Sequence, residues 1–367
     1  MKIYKVRTNI GWIFCSIVCL LLLSCGIGFA SDHNADNANG QRLLDQSSQI
    51  KSQIKTDLTN KTAEAGDPLS SWNSGTSKTA IFNFLANVTN SSNPGYVSPD
   101  ERIAVIDNDG TLICEKPDSF QFLFISDRVK ELAHEHPEWK SQEPFSSLLS
   151  GNRSAEHEFS SKENEVMKLA TNANVTVEEY MSIVGKWMNT TKHPRFKIPY
   201  DRCVYKPMTE LISLLKAKDF KVYVVTGSYA DFLRAFSKNA YGILPEQVIG
   251  SNNRNRFIEN NMTTDIVILP EIWNKNSGID KAQDIWLFIG HRPIFAYGNS
   301  DGDIQMLQYA TGKNHTGIAL FNRHDDSIRE YAYDRNATEG KLDKGLDISP
   351  AWDWHIVSMK NDWKTVF

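Results

Sequence analysis

Asp107 and Asp109 stand two positions apart in Asp107-Asn108-Asp109-Gly110-Thr111, directly after the apolar run Ile103-Ala104-Val105-Ile106. Alternate side chains of an extended chain share a face, so both carboxylates point the same way. Gly110 permits a sharp turn there, and Thr111 can cap the next segment. Adjacent carboxylates repel: they ionise together beside a cation and share a proton without one. Oxygen-rich surroundings with no nearby His or Cys cluster point to Mg²⁺ rather than Zn²⁺.

Two further groups repeat the pattern of an apolar run ending in small polar residues. Val222-Tyr223-Val224-Val225 ends in Thr226-Gly227-Ser228. Opening a helix over Asp231 to Tyr241, that tripeptide would form a neutral anion cradle for a phosphate oxygen. In isolation such a tripeptide is more often an N-cap. Ile294-Phe295-Ala296-Tyr297 ends in Gly298-Asn299-Ser300-Asp301-Gly302-Asp303. Asn299 and Asp303, at i and i+4, can face one side of a turn leading into Ile304 to Tyr309. A solvated acidic turn is the plain alternative, and it loses ground because this is the third polar tip to come after an apolar strand.

Apolar runs without alternation suit strands covered on both faces, and intervening helices such as Glu210 to Lys218 suit right-handed crossovers. The expected fold class is α/β, an open, Rossmann-like parallel sheet with helices on both faces. Strand carboxyl ends of such sheets meet at the switch point, where three tips remote in sequence can converge on one ligand. Short strands are also expected at Val248-Ile249 and Ile318 to Phe321. Residues 115–200 show helical segments (Asp127 to Glu135, Ser161 to Ala170, Thr176 to Trp187) and no convincing strand. More than 80 residues between sheet neighbours is far beyond a crossover of about a dozen, so this stretch reads as an inserted helical cap. The core then comprises 67–114 plus 201–367, and begins with an amphipathic helix carrying Ile81, Phe84, Leu85 and Val88.

The amino terminus has the order of a secretory signal: Lys2, Lys5 and Arg7, an uncharged apolar run from Gly11 to Leu23, then small residues. Residues 1–30 are therefore expected to direct export, to the periplasm, to the envelope as a lipoprotein, or out of the cell. Cleavage after Ala30 competes with lipid attachment at Cys25, and an uncleaved segment would be a membrane tether. Residues 31–66 are polar and read as a tether. Three of the five cysteines lie in the leader, leaving Cys114 and Cys203, expected as separate buried thiols. With 40 Lys+Arg against 44 Asp+Glu, and three bases lost with the leader, nucleic acid is not expected as a partner.

The three motifs together resemble those of the haloacid dehalogenase superfamily, specifically its phosphoserine-phosphatase-like phosphatases with a helical cap. The closing segment, with Trp352, Trp354, Lys360, Asn361, Asp362, Trp363 and Lys364, looks like that of exported bacterial members. The resemblance implies that Asp107 is the nucleophile forming an aspartyl-phosphate. Asp109 would protonate the leaving alcohol and then activate water. Thr226, with Gly227 and Ser228, would bind the phosphoryl group. The lysine the family requires is best matched by Lys281, with Lys275 as the alternative. Asn299 stands where the first metal-binding aspartate of the commoner pattern would be, so the ion is expected on Asp107 and Asp109 with Asn299, Asp301 or both, and Asp303 supporting.

The implied activity is Mg²⁺-dependent hydrolysis of a small phosphorylated metabolite. A dehalogenase would leave Asp109 without a task, because halide departs without a proton. A phosphotransferase, or an exported phosphate-ester binding protein without turnover, remain the other readings. His134, His136, Arg153, His157, Trp187, Lys192 and Arg195 are the residues of the cap expected to meet the leaving group.

Overall fold

The central strand β1 (Ile103–Ile106) is buried along its whole length and divides its side chains between two cores. Ala104 and Ile106 join one apolar cluster and Ile103 and Val105 the other. Both faces of the sheet are therefore covered, as its unbroken apolar sequence requires. The computed structural model describes residues 66–150, 159–312 and 316–367. The leader with Cys25, the tether up to residue 65, Arg153 and His157 lie outside the described residues. Asp67–Phe367 forms one unit, in which no helix among the described residues is long and apolar enough to cross a membrane.

Seven strands come after β1: β2 (Lys221–Tyr229), β3 (Val248–Asn260), β4 (Thr263–Asn274), β5 (Phe295–Gly298), β6 (Ile318–Asp325), β7 (Ala332–Tyr333) and β8 (His355–Ser358). Their order is β4-β3-β2-β1-β5-β6-β7, with β8 also on β6. Pairings among β3, β2, β1, β5, β6 and β8 are parallel, and only β3–β4 and β6–β7 are antiparallel. The chain is thus an open, mostly parallel α/β sheet with helices on both faces. Ile106 is in register with Val224 of β2 and Tyr297 of β5. That register places Asp107 and Asn299 just past the carboxyl ends of β1 and β5, beside Thr226 of β2, in the switch-point crevice.

Three features depart from the sequence reading. The strand β2 does not stop at Val225: it runs to Tyr229 with a register shift, so Thr226-Gly227-Ser228 lies within a strand and does not open a helix. The expected helix from Asp231 to Tyr241 is two short ones, Ala230–Arg234 and Ser237–Tyr241. The strand β3, expected as two residues, extends into a long hairpin with β4, in which Phe257 faces Ile266. Its turn uses Asn261 and Met262, both at positive φ. Such a turn ordinarily advertises itself with glycine, and none is present.

Between β1 and β2 the described residues hold four α-helices before the crossover helix Lys206–Ala217: Phe120–Leu132, Phe145–Leu149, Ser161–Asn172 and Val177–Thr190, and no strand. Ser160 with Glu163, and Thr176 with Glu179, form reciprocal capping boxes that start the last two of the four. Phe124 anchors this layer, its ring 6.0 Å from Tyr180, 5.6 Å from Trp187 and 5.6 Å from Phe232 beside the sheet. The hairpin braces it from the other side, because Ile268 exchanges backbone hydrogen bonds with Asn174 and Val175. The helix Thr76–Thr89 buries Ile81, Phe84, Leu85 and Val88, the stripe its spacing predicts.

Candidate active site

Lys281 lies in the first turn of the helix Ile279–Ile289, buried, with its ammonium between two carboxylates. Its Nζ donates to Asp107 Oδ1 at 2.5 Å and to Asp303 Oδ1 at 2.7 Å. Burial alone would depress the ammonium, but Asp107 and Asp303 more than reverse this and hold it protonated. Burial and the nearby Asp303 push Asp107 up, to about 7, against the pull of Lys281. Lys275, the alternative lysine, is directed elsewhere: it pairs with Glu165 of the helix Ser161–Asn172 at 2.5 Å.

Asp109 faces β2. Its Oδ2 accepts from Ser228 Oγ at 2.9 Å and from Thr226 Oγ1 at 3.4 Å. Its Oδ1 is buried with no hydrogen-bond partner, an unusual condition for a carboxylate oxygen. Thr226 is itself fixed: its Oγ1 accepts the backbone N–H of Ser228 at 3.0 Å, and its carbonyl accepts from Asn276 Nδ2 at 2.9 Å. The cradle is therefore a strand bulge with two hydroxyls, and the Ser228 amide within it is already engaged. Gly227 is exposed at its rim.

The third tip separates into distinct tasks. Asp303 Oδ2 accepts the backbone N–H groups of Asn299 and Ser300, both at 3.0 Å, while Oδ1 takes Lys281. Gly298 makes this possible, because a Cβ there would lie 2.6 Å from Asp303 Oδ2. Asp301 is turned away from the other carboxylates. It accepts the backbone N–H groups of Asp343 (3.0 Å), Lys344 (3.1 Å) and Gly345 (2.8 Å), capping the helix Lys344–Trp352 from a distance. The expectation that Asp301 ligates the ion is corrected on this ground, since three backbone amides hold its oxygens. Asp303 likewise has both oxygens committed to positioning Lys281 and the turn.

Asn299 is the member of this tip that faces Asp107. Thr111 Oγ1 lies 3.1 Å from Asp107 Oδ2 and 3.2 Å from Asn299 Oδ1, linking the two. On the far side, Asn299 Nδ2 donates to Glu115 Oε1 at 2.8 Å. Glu115 is a site residue that the motifs did not reveal. It is buried, held also by Tyr333 Oη at 2.7 Å, and pushed well above the usual carboxylate range, first by its burial. The available signal was an acid closing the apolar run Leu112-Ile113-Cys114.

Among the described residues no group of three or more His, Cys, Asp and Glu side chains is arranged to hold a metal ion. The donors nearest one another are all oxygens, Asp107 Oδ2 and the amide oxygen of Asn299 sharing Thr111, and Asp109 Oδ1 is a buried oxygen without a partner. A set of one or two carboxylates completed by water and phosphate oxygens suits Mg²⁺ and suits neither Zn²⁺ nor a caged Ca²⁺.

A cavity of about 350 Å³ adjoins the cradle, lined by Gly227, Tyr229, Lys168, Glu165, Lys275 and Glu339 among others. None of the described residues expected to meet the leaving group lines it. His134 and Lys192 are exposed, His136 stacks on Trp139, Trp187 stacks on Tyr200 and donates to Asp127, and Arg195 holds the carbonyls of Ser327 and Ile328. Cys114 and Cys203 are free buried thiols, as expected.

The model of the haloacid dehalogenase-like hydrolase family matches residues 104–308, more than half of the chain and all three motifs. The chain belongs to that family. Among solved structures it is similar to a conserved protein of unknown function from Anaerococcus prevotii, with 18% identity, 68% of this chain and 85% of that one covered, and a TM-score of 0.42. A protein of unknown function from Bordetella pertussis gives 15% identity, 70% and 98% coverage, and a TM-score of 0.43. A phosphoserine phosphohydrolase-like protein from Francisella tularensis gives 17%, 61%, 88% and 0.35. No curated protein matches the chain.

Proposed function

We propose that the protein is a Mg²⁺-dependent phosphomonoester hydrolase acting on a small phosphorylated metabolite. The observation that carries this reading is the ammonium of Lys281 lodged between Asp107 and Asp303, with Asp109 held across the crevice by Ser228 and Thr226. Phosphoryl transfer needs an in-line nucleophile, charge neutralisation and an acid for a poor leaving group. Asp107 attacks phosphorus, the ester P–O bond breaks, and the alkoxide takes a proton from Asp109. The aspartyl-phosphate on Asp107 is then opened by water, which gives its proton to Asp109 and restores both carboxyl groups. Lys281 offsets charge on the nucleophile and the transferring group, and the hydroxyls of Thr226 and Ser228, which donate to Asp109 here, can turn to phosphoryl oxygens when substrate enters. Asp107 and the amide oxygen of Asn299 would hold Mg²⁺, which when bound neutralises phosphoryl charge, while Asp109 keeps the proton it must give.

The helical stretch over the crevice serves as a cap in this reading. The cavity beneath it presents charges of both signs, which suits a compact polar leaving group. Turnover of p-nitrophenyl phosphate with and without Mg²⁺, and mass analysis of acid-quenched protein for one added phosphoryl group, test the reading. A rate unchanged in Asp107→Asn would end it. A panel of phosphorylated amino acids, cholines, sugars and nucleotides then defines the substrate. The leader sequence supports export, and fractionation of wild type against Cys25→Ala separates lipid attachment from cleavage after Ala30.

A further inference from the structure

Asn299 poses a problem that an aspartate in its place would not. A carboxylate presents an oxygen to a cation whichever way it rotates, whereas an amide has one oxygen and one NH₂, and the wrong face repels. Thr111 does not settle the orientation. Its hydroxyl lies 3.1 Å from Asp107 Oδ2 and 3.2 Å from Asn299 Oδ1 but has one proton to give. Once that proton goes to Asp107, the Thr111 oxygen would welcome the NH₂ of a flipped amide.

On the far side stands Glu115. Glu115 Oε1 takes a hydrogen bond from Asn299 Nδ2 at 2.8 Å and another from Tyr333 Oη at 2.7 Å. A carboxyl oxygen receiving two donors selects the NH₂ end of the amide. The contact is built closely: Gly110, at φ +75°, lies under it, and a Cβ there would come within 2.0 Å of Asn299 Nδ2 and 2.4 Å of Glu115 Oε1.

We infer that Glu115 is a positioning residue, whose buried carboxyl group locks the Asn299 amide with its oxygen toward Asp107 and so completes the cation site. This rests on the Mg²⁺ reading above. Glu115 acts through Asn299 and needs no contact with substrate. Tyr333 holds Glu115 in turn.

Calorimetric titration of the full-length protein with MgCl₂ tests this, with thermal unfolding in EDTA verifying that each variant is folded. Glu115→Met should weaken Mg²⁺ binding about tenfold, the usual cost of removing a partner that orients a metal ligand. Glu115→Gln keeps an acceptor oxygen and should retain most of the affinity. In the Asn299→Asp background, where no orientation needs selecting, Glu115→Met should cost nothing. A merely structural role would cost the same in both backgrounds, and that result, or wild-type affinity in Glu115→Met, overturns the inference. If Glu115→Met does not fold, Tyr333→Phe replaces it, expected to weaken binding in the Asn299 protein and not in Asn299→Asp; equal effects overturn the inference. A wild type that binds no Mg²⁺ overturns the cation reading itself, a result distinct from loss confined to the Glu115 series.

Discussion

The Nζ of Lys281 lies 2.5 Å from Asp107 Oδ1, although 174 positions separate the two residues. Both are buried, and Asp303 shares the same ammonium. Removing one partner of a buried ion pair leaves charge without compensation, which costs more than the pair contributed. Lys281→Met should therefore lower stability by about 3 kcal/mol and cut turnover of p-nitrophenyl phosphate by about 10²–10³-fold. Urea unfolding and steady-state kinetics check the two effects. A variant of wild-type activity would place the charge compensation elsewhere.

Asp109 is assigned proton transfer, and its worth depends on the leaving group. An alkoxide needs a proton as it departs, whereas p-nitrophenolate does not. Asp109→Asn should then slow hydrolysis of an alkyl phosphate by about 10²–10⁴-fold and that of p-nitrophenyl phosphate by much less in the bond-breaking step. Single-turnover rates of phosphoenzyme formation on the two substrates provide the comparison. Equal losses would mean that Asp109 serves orientation or cation binding and does not act as the acid.

Asp301 provides the opposite expectation. Its carboxylate caps the helix Lys344–Trp352 through three backbone amides and points away from Asp107. Asp301→Ala should destabilise the protein by about 1–2 kcal/mol, the usual range for a lost cap. Its affinity for Mg²⁺ should stay within a few-fold of wild type. A large loss of cation binding with little change in unfolding midpoint would reverse the roles given to Asp301 and Asn299.

How far these roles were legible in the sequence differs from residue to residue. Asp107, Asp109, Thr226 and Asn299 end three apolar runs, and parallel pairing with β1 at the centre brings those ends together, so strand pattern sufficed for them. Lys281 was found through the family resemblance, which calls for a lysine ahead of the third tip. The bonds of Asp301 were not legible because the amides it caps lie more than 40 positions later, beyond any local pattern. Glu115 escaped because its meaning lies in Asn299, 184 positions away. The β3–β4 hairpin escaped because its turn residues, Asn261 and Met262, take positive φ without glycine. The described residues expected to meet the leaving group were chosen by residue type alone, and none of them lines the cavity beside Gly227, which Lys168 and Glu165 of one helix reach.

His193 lies outside the chemistry and gives the stability of the fold a pH dependence. It is fully buried, stacked on Phe196 and edged by Phe120 and Tyr200. Its Nε2 lies 2.7 Å from the Lys116 carbonyl, and its Nδ1 accepts the backbone N–H groups of Arg195 and Phe196 at 3.1 and 3.2 Å. The neutral Nε2–H tautomer satisfies all three contacts. Protonating Nδ1 would turn two hydrogen bonds into repulsions. Burial accordingly depresses the imidazole below its ordinary 6.5. The unfolded chain then binds more protons than the folded one between that depressed value and about 6.5, so stability rises with pH across this window. The contribution is complete above about pH 6.5 and is lost as pH falls through the folded value. Thermal unfolding should therefore show a midpoint that declines from about pH 7 to about pH 5. In His193→Gln the midpoint should be lower at about pH 7 and its decline flatter. A slope as steep in His193→Gln as in wild type would assign the acid sensitivity to another group.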